Sequence, residues 1–444
     1  MRPHYPIATH RLDNGLRVVV STDHSVPTVA VNLWVGVGSR HEQSGRTGLA
    51  HLFEHLMFQG SQNVAEGEHF SALLAQGAQL NATTWVDRTN YFEVVPTGAL
   101  ELALWLEADR HGRLLPALTQ ENLDNQRDVV KEEKRQRYDN VPYGTAYAEL
   151  TGLVFPEGHP YHHTTIGSMD DLDAASLTDV REFYSRHYRP NNTVLTLVGD
   201  VEPDAGFAMA AKYFDELTNP EVPADRPLAE SLAPLTDPDR LERTCDVPSD
   251  RIYFGFRLPP GGTDEFIRAE LAFDVLAGLA TSRLYRRLVR SEQVVTHVSR
   301  NAGGRVDGTS MGALIVDVAD DATVEQVEQM VGEELRRLAA EPPTGPEMAA
   351  ALADVERWWL QSLAQPDERA DVISGNTLLY DDPNHLNTYL DRVMAVNAQD
   401  VAASAAAYLR PESAAVVVYR KESRNALDNT LDTTLDTTFH KEQN

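Results

Sequence analysis

The sequence predicts an α+β fold made of two related units, each a sheet backed by helices. Strand-like and helix-like segments follow one another in the same order in both halves of the chain. A proline-rich, polar stretch over residues 219–238 separates these halves. Each half of the 444-residue chain has the length of an ordinary domain. Together these observations indicate an internal duplication.

The first half opens with a predicted hairpin. Asn14-Gly15 precedes an apolar run, and Asn-Gly between apolar stretches is typical of a tight turn. Later strands are predicted over residues 28–37, 79–85, 89–95 and 192–199, and helices over residues 47–58, 66–75, 97–111 and 120–138.

The second half repeats this order. Strands are predicted over residues 251–258, 294–300, 310–318 and 414–419, and helices over residues 264–278, 282–290 and most of 324–409. The predicted boundaries are a first domain over residues 1–218, a linker over 219–239, a second domain over 240–424 and a disordered tail over 425–444, where polar repeats dominate.

Composition narrows the function classes. Acidic residues number 67 against 39 basic ones, and this charge repels nucleic acid and anionic membranes, so neither is expected as a partner. The sequence has no run of about 18 apolar residues, so no membrane-spanning helix is expected. Since no apolar leader is visible, the expected compartment is the cytoplasm. Cys245 is the one cysteine, so His, Asp or Glu must hold any metal.

The segment His51-Leu52-Phe53-Glu54-His55 carries the chemistry. Residues four apart share one face of a helix, so both imidazoles can bind one ion, with Glu54 leaning over that face. Two His nitrogens and one further ligand leave an open zinc position for water, whose proton a nearby carboxylate can accept. The order His-x-x-Glu-His is the inverse of the commoner His-Glu-x-x-His motif.

The predicted helix over residues 120–138 offers the third ligand. Glu132 and Glu133 are both suitable by chemistry, but they point about 100° apart, so only one can face the metal. We expect Val129 and Val130 to mark the buried side. Glu133 follows these valines by four and three residues, which favours it over Glu132.

Several segments together resemble the pitrilysin or insulinase family, above all its half-length members of the mitochondrial processing peptidase type. The similar segments are residues 51–55, residues 77–83 (Gly-Ala-Gln-Leu-Asn-Ala-Thr), residues 87–92 (Asp-Arg-Thr-Asn-Tyr-Phe), residues 127–133 and residues 165–167 (Thr-Ile-Gly). The resemblance extends from the first predicted hairpin to about residue 419, nearly the whole chain.

The resemblance implies a zinc-dependent endopeptidase whose first domain is catalytic. The implied zinc ligands are His51, His55 and Glu133, and the implied general base is Glu54. An edge strand that pairs with the substrate backbone is implied at Asn81, Ala82 and Thr83. Gln126 stands where the family often has Glu, so a supporting carboxylate beside the ligands is not expected here.

In the second, inactive domain, the resemblance implies a substrate-binding Arg-Tyr pair. Arg290 matches the arginine, but His297 occupies the tyrosine position. Half-length relatives pair into a clamshell around a chamber, so this chain is expected to form half of it. The implied partners are a peptide or precursor leader as substrate and either a second copy or a sibling subunit with an intact Arg-Tyr pair.

Two other functions fit parts of the pattern. One is a non-catalytic scaffold or partner subunit, because relatives exist that keep the fold without activity. An intact ligand set argues against it. The other is a metal-dependent hydrolase acting on a non-peptide substrate, which fold alone does not exclude. The implied peptide-pairing strand at Asn81 argues against that alternative.

Overall fold

The computed structural model describes residues 3–219 and 229–422. The predicted tail over residues 425–444 and part of the proline-rich stretch, residues 220–228, lie outside the described residues. The described part contains two β-sheets with helices packed on them.

Eleven strands make up the two sheets of the described residues. They are β1 (Ala8–Arg11), β2 (Arg17–Thr22), β3 (Thr28–Val35), β4 (Gln79–Thr84), β5 (Thr89–Pro96), β6 (Thr193–Gly199), β7 (Arg240–Cys245), β8 (Arg251–Leu258), β9 (Val295–Gly303), β10 (Ser310–Val318) and β11 (Ala415–Lys421).

Fourteen α-helices surround them within the same described ranges. They are α1 (Leu49–Leu56), α2 (Glu68–Leu74), α3 (Leu100–Arg113), α4 (Gln120–Lys134), α5 (Ala146–Val154), α6 (Met169–Ala174), α7 (Leu177–His187), α8 (Pro203–Phe214), α9 (Asp264–Phe273), α10 (Val324–Ala340), α11 (Gly345–Leu363), α12 (Pro366–Tyr380), α13 (His385–Met394) and α14 (Ala398–Tyr408).

The two sheets have the same topology. The first has the order β1-β2-β6-β3-β5-β4 and the second β7-β11-β8-β10-β9, so only β1 lacks a counterpart. In each sheet the pair β2/β6 or β7/β11 is parallel, while the other matched neighbours are antiparallel. The predicted α+β fold of two related sheet-plus-helix units is therefore confirmed.

Helix α5 comes from the first half of the sequence but packs on the second sheet. Its Leu150 and Val154 lie in one buried cluster with Tyr253 of β8 and Val417 of β11. Gly255 permits this approach, because a Cβ there would lie 2.8 Å from Val154 Cγ2. The core of the second sheet thus includes a helix that comes from the first half of the sequence.

Helix α12 makes the reciprocal contact. Its Ile373 is buried with Trp34 of β3 and Val198 of β6 on the first sheet. A Cβ on Gly375 would lie 2.9 Å from the Trp34 ring, and Trp34 Nε1 donates a hydrogen bond to Asp371 at 2.8 Å. Because each half of the sequence contributes a helix to the core of the other half's sheet, each core needs residues from both halves.

A buried ionic group joins the turns of the two edge hairpins. Arg40 Nε lies 3.3 Å from Asp87 in the β4–β5 turn, and Arg40 Nη1 donates to Asp307 in the β9–β10 turn at 2.6 Å. The Tyr161 hydroxyl donates to Asp87 at 2.8 Å. This group fixes the edge strand β4 relative to the second sheet.

Some elements differ from the sequence prediction. The predicted helix over residues 264–278 ends as a π-helical turn, Asp274–Gly278, and the one over residues 282–290 is a π-helical segment, Tyr285–Ser291. Helices α5 to α8 and strand β7 were not predicted. Strand β7 has a polar, largely exposed sequence without the alternation that indicates a strand.

Candidate metal centre

Helix α1 places His51, Glu54 and His55 at the floor of a cleft. Its apolar residues Leu52 and Phe53 are fully buried beneath it, which fixes the orientation of the helix. The His51 and His55 rings lie 4.9 Å apart between centroids, as expected for side chains one helical turn apart. The helix therefore presents two imidazoles side by side with a carboxylate between them in sequence.

Helix α4 brings Glu133 to these histidines. Its buried face is formed by Leu123, Gln126 and Val130, and Glu133 continues that face seven residues after Gln126. The prediction that Val129 shares the buried side is wrong, because Val129 is 44% exposed. It lies one residue outside the stripe that packs on α1.

Glu132 lies away from the cleft. Its side chain is more than half exposed and accepts hydrogen bonds from Arg135 and Gln136 on the same helix. Glu132 therefore stabilises the surface of α4, and its carboxylate does not reach the histidines.

The three candidate ligand atoms converge on one point. His51 Nε2 lies 3.7 Å and His55 Nε2 lies 3.5 Å from Glu133 Oε2, and all three atoms lie within 4.8 Å of one another. Two ligands of a tetrahedral zinc ion, each about 2.1 Å from the metal, lie about 3.4 Å apart. The spacing and the nitrogen and oxygen donors therefore fit a zinc ion held by three residues with one position open.

The electrostatics of the group suit a cation. Burial, aided by the neighbouring His55, lowers the pKa of His51 to about 4, so its imidazole is neutral near pH 7. The pKa of Glu133 is lowered by its contact with His55, and Arg137 Nη1 forms an ion pair with its other oxygen at 2.7 Å. Neutral imidazoles and an ionised carboxylate are the forms that bind metal.

Glu54 has a different environment from the three candidate ligands. It is buried, and burial raises its pKa above the ordinary value of a glutamate. Its Oε2 accepts a hydrogen bond from Thr84 Oγ1 on β4 at 2.5 Å. A raised pKa and a fixed orientation suit a carboxylate that accepts and releases a proton. Thr84 was missed by sequence reasoning, because only the folded sheet brings β4 against α1.

Strand β4 is the free edge of the first sheet. Its Ala82 is buried against the α1 side, whereas Asn81 is exposed. The Asn81 Oδ1 accepts a hydrogen bond from the Ala82 amide at 2.9 Å, so this side chain satisfies a backbone donor of the strand. A strand that paired with β4 would compete for this donor.

The cleft above the candidate ligands has a volume of about 610 Å³. Its lining combines the candidate ligands with the edge strand and with apolar walls: His51, Glu54, His55, Phe58, Gln59, Phe70, Asn81, Ala82, Thr83, Thr84, Gln126, Glu133, Arg137, Tyr138, Thr165 and Ile166. The structure thus brings together His51, Glu54, His55 and Glu133 with all three predicted residues of the edge strand.

Arg290 and His297 do not line this cleft. Arg290 lies on the π-helical segment, with Cζ 5.6 Å from the Tyr285 ring, beside a separate cavity of about 530 Å³. His297 is exposed on β9, the free edge of the second sheet, opposite Asp317 of β10. Within one chain the structure leaves both residues apart from the candidate metal centre.

Two protein-family models match this chain. The model described as Insulinase (Peptidase family M16) matches residues 17–146, and Peptidase M16 inactive domain matches residues 174–354. The described residues thus combine two matching sheets with a His-His-Glu group beside the first sheet. The chain belongs to the insulinase family, peptidase family M16.

Named relatives point the same way. The zinc protease PqqE of Helicobacter pylori is 37% identical over 209 residues, 47% of this chain and 46% of the relative. Cytochrome b-c1 complex subunit 1 of Bos taurus is 30% identical over 208 residues, 47% of this chain and 42% of the relative. The matched segment thus spans about half the length of each of these curated relatives.

Solved structures share the fold over almost the whole chain. A crystal structure of a protease from Helicobacter pylori superposes with a TM-score of 0.88 at 25% identity, covering 94% of this chain and 100% of that one. The first half of the periplasmic protease PqqL from Escherichia coli has a TM-score of 0.73 at 20% identity, covering 93% and 92%. Among the described residues, no helix is both long and apolar enough to cross a membrane.

Proposed function

We propose that this chain is a zinc-dependent endopeptidase that cleaves peptides or precursor leader segments. The observation that carries the proposal is the convergence of His51 Nε2, His55 Nε2 and Glu133 Oε2 beside the buried carboxylate of Glu54. When bound to these three residues, zinc supplies a Lewis acid that polarises a carbonyl and acidifies a water molecule.

The residues of the chain account for the proton movements. Glu54, with its raised pKa, accepts the proton of the attacking water and passes it to the leaving amine. Thr84 holds the Glu54 carboxylate in place through its 2.5 Å hydrogen bond. Since Thr84 is on the edge strand, the base and the strand that binds substrate are positioned together.

Substrate binding is proposed on the free edge of β4. A peptide that adds a strand there uses backbone hydrogen bonds and so needs little sequence specificity. Its backbone would displace the Asn81 side chain from the Ala82 amide and run past Thr83 across the cleft. This arrangement suits extended or unfolded peptides and disfavours folded proteins.

A second chain completes the proposed enzyme. Arg290 and His297 lie outside the metal cleft of their own chain, so a role in substrate binding requires that they face the cleft of another chain. We propose a dimeric chamber, formed either by two copies or with a sibling subunit. The sibling alternative follows from His297, since a sibling with an intact Arg-Tyr pair would replace the altered one.

A non-catalytic subunit of a related complex is the second candidate. Its support is the similarity to cytochrome b-c1 complex subunit 1 and to a chain of complex III from Candida albicans, the latter at 17% identity and a TM-score of 0.80. The complete set of converging ligand atoms favours the enzyme.

For the cellular location we keep the cytoplasm as a proposal, which cell fractionation tests.

The proposed function is tested on the purified chain, alone and mixed with a sibling subunit. We expect about one zinc equivalent per chain, and cleavage of a quenched fluorogenic peptide that a chelator abolishes and zinc restores. A homodimer cleaves alone and loses activity when Arg290 is changed. A heterodimer cleaves only with the sibling. Protein prepared with zinc that binds none would favour the non-catalytic subunit.

A further inference from the structure

The first turn of α1 is capped by a carboxylate from outside the helix. Glu42 Oε2 accepts the Gly48 amide at 2.9 Å, and Glu42 Oε1 accepts the Ala50 amide at 2.8 Å. The first amides of a helix have no acceptor within it, and Gly48, in the N-cap position, has no side chain to supply one. Glu42 therefore takes over the function of the missing cap, and its negative charge suits the helix N-terminus.

Glu42 is itself held by His163. Its carboxylate is fully buried, and His163 Nε2 lies 2.9 Å from Glu42 Oε2 and 3.0 Å from the Ser39 carbonyl. Both neighbours are acceptors, so Nε2 carries a proton and donates it. Burial opposes a positive charge on this imidazole, but the Glu42 carboxylate, together with the Ser39 carbonyl and the charge of Asp171, outweighs burial and raises the pKa of His163.

The His163 loop also reaches the metal cleft. Thr165 and Ile166, two and three residues later, line that cleft. Gly48, with φ of 87°, lies so close to this loop that a Cβ would approach the Ile166 carbonyl to 2.8 Å. The pair Glu42–His163 therefore ties together the start of α1 and one wall of the cleft.

This support matters because His51 lies at the weak end of a short helix. Helix α1 has eight residues, and His51 is the third of them, within the first turn of the helix, and helix ends fray. His51 must keep its distance to Glu133, which belongs to a different helix, because metal sites tolerate deviations of only about 0.2 Å.

We propose that Glu42, held by His163, is a positioning residue that fixes the first turn of α1 and so sets the place of His51 in the metal centre. The inference rests on the proposed zinc-dependent function. It assigns Glu42 no contact with metal or substrate, and its effect passes through the Gly48 and Ala50 amides.

The test compares zinc affinity, measured by chelator competition, in Glu42→Ala, Glu42→Gln and His163→Gln. We expect Glu42→Ala to weaken zinc binding about 10- to 100-fold, the range of residues that support metal ligands. Glu42→Gln keeps one acceptor and should lose less, and His163→Gln least. Cobalt-substituted Glu42→Ala should show an altered visible spectrum. In kinetics, kcat should fall while KM changes little, because the edge strand is untouched.

The matched control is Asp400→Asn. Asp400 accepts the Asn397 amide at 3.1 Å in the capping box of α14, so this variant weakens a helix cap in the second domain. It should lower the melting temperature and leave zinc affinity and the cobalt spectrum unchanged. If Glu42→Ala does not fold, Glu42→Gln and His163→Gln decide the question against the same control.

The result that overturns the inference is zinc affinity unchanged in all folded Glu42 and His163 variants, with a loss of stability like that of Asp400→Asn. This outcome is distinct from failure of the proposed function. Wild-type protein that binds no zinc contradicts the function, whereas tight zinc binding in wild type and variants alike contradicts only the role of Glu42.

Discussion

Thr84 Oγ1 donates a hydrogen bond to Glu54 Oε2 at 2.5 Å, and this contact links the edge strand of the first sheet to the helix that bears both histidines. Burial raises the pKa of Glu54, while the Thr84 hydroxyl favours its ionised form. The candidate base is thus oriented by the same strand that is proposed to hold the substrate.

The first prediction concerns this contact. Thr84→Val removes the hydroxyl but keeps the size of the side chain, and we expect kcat to fall about 10- to 100-fold, because a hydrogen bond to a charged group contributes about 1.5–3 kcal/mol. Thr84→Ser keeps the hydroxyl and should restore most of the rate. Metal content should be unchanged in both. A Val variant as active as both the Ser variant and wild type would show that the contact is dispensable.

The second prediction separates two neighbouring carboxylates on α4. Glu133→Gln should weaken zinc binding strongly, because the Glu133 carboxylate lies within 3.7 Å of both imidazole nitrogens. Glu132→Gln is the matched control and should bind zinc like wild type, since that side chain is exposed. Metal analysis after dialysis measures both. Loss of zinc in the Glu132 variant, with retention in the Glu133 variant, would contradict the site geometry.

The third prediction follows from the packing of α12, a helix of the second half of the sequence, on the first sheet. Ile373→Ala on α12 should destabilise the protein by about 2–5 kcal/mol, as for other buried apolar truncations. Although Ile373 belongs to the second half of the sequence, its replacement should reduce hydrogen-exchange protection in β3 and β6 of the first sheet. Val327→Ala on α10, buried within the second core alone, serves as control. If Ile373→Ala reduced hydrogen-exchange protection only in the second sheet, the account of α12 as part of the first sheet's core would be contradicted.

The fourth prediction is a pH dependence of stability. Asp23 accepts a hydrogen bond from Arg369 of α12 at 2.6 Å, which lowers the pKa of Asp23 from 3.8 to about 2. A carboxyl with a lowered folded-state pKa stabilises the protein above its unfolded-state pKa, and this contribution is lost as the pH falls through the folded-state value.

Asp23→Asn should therefore cost about 1 kcal/mol near pH 7, a figure reduced for solvent screening of this partly exposed pair. The difference from wild type should shrink as the pH falls from about 4 towards 2. Urea unfolding at several pH values measures it. A difference between variant and wild type that grows as the pH falls would contradict the assignment.

Much of the fold follows from local sequence pattern. The strands were predicted where apolar residues alternate or run together, as in β3 and β8, and helix α1 from its apolar periodicity. The positions of α5 and α12 were not predictable. Helix α12 buries polar side chains such as Asn376 and Thr377 among apolar ones, so no single face of its sequence indicates which sheet it covers.

The candidate site likewise has residues that local sequence predicts and residues that it does not. The spacing of His51, Glu54 and His55 is local, so the sequence alone predicted that they share a face. Glu133 was favoured from helix phase, although Val129 proved to be exposed. Thr84 contacts Glu54 across 30 positions of the sequence, and Glu42 contacts the Ala50 amide from eight positions before it. Both contacts join a helix to a segment outside it, so no helix or strand periodicity encodes them.

The most direct test of the proposed zinc-dependent cleavage is the variant Glu54→Gln, analysed for bound metal and for peptide cleavage in the same preparation. The account predicts wild-type zinc content with turnover reduced about 10²- to 10⁴-fold, because the three ligand residues are intact and only the proton acceptor is lost. Loss of zinc together with a wild-type rate after zinc is restored would contradict it.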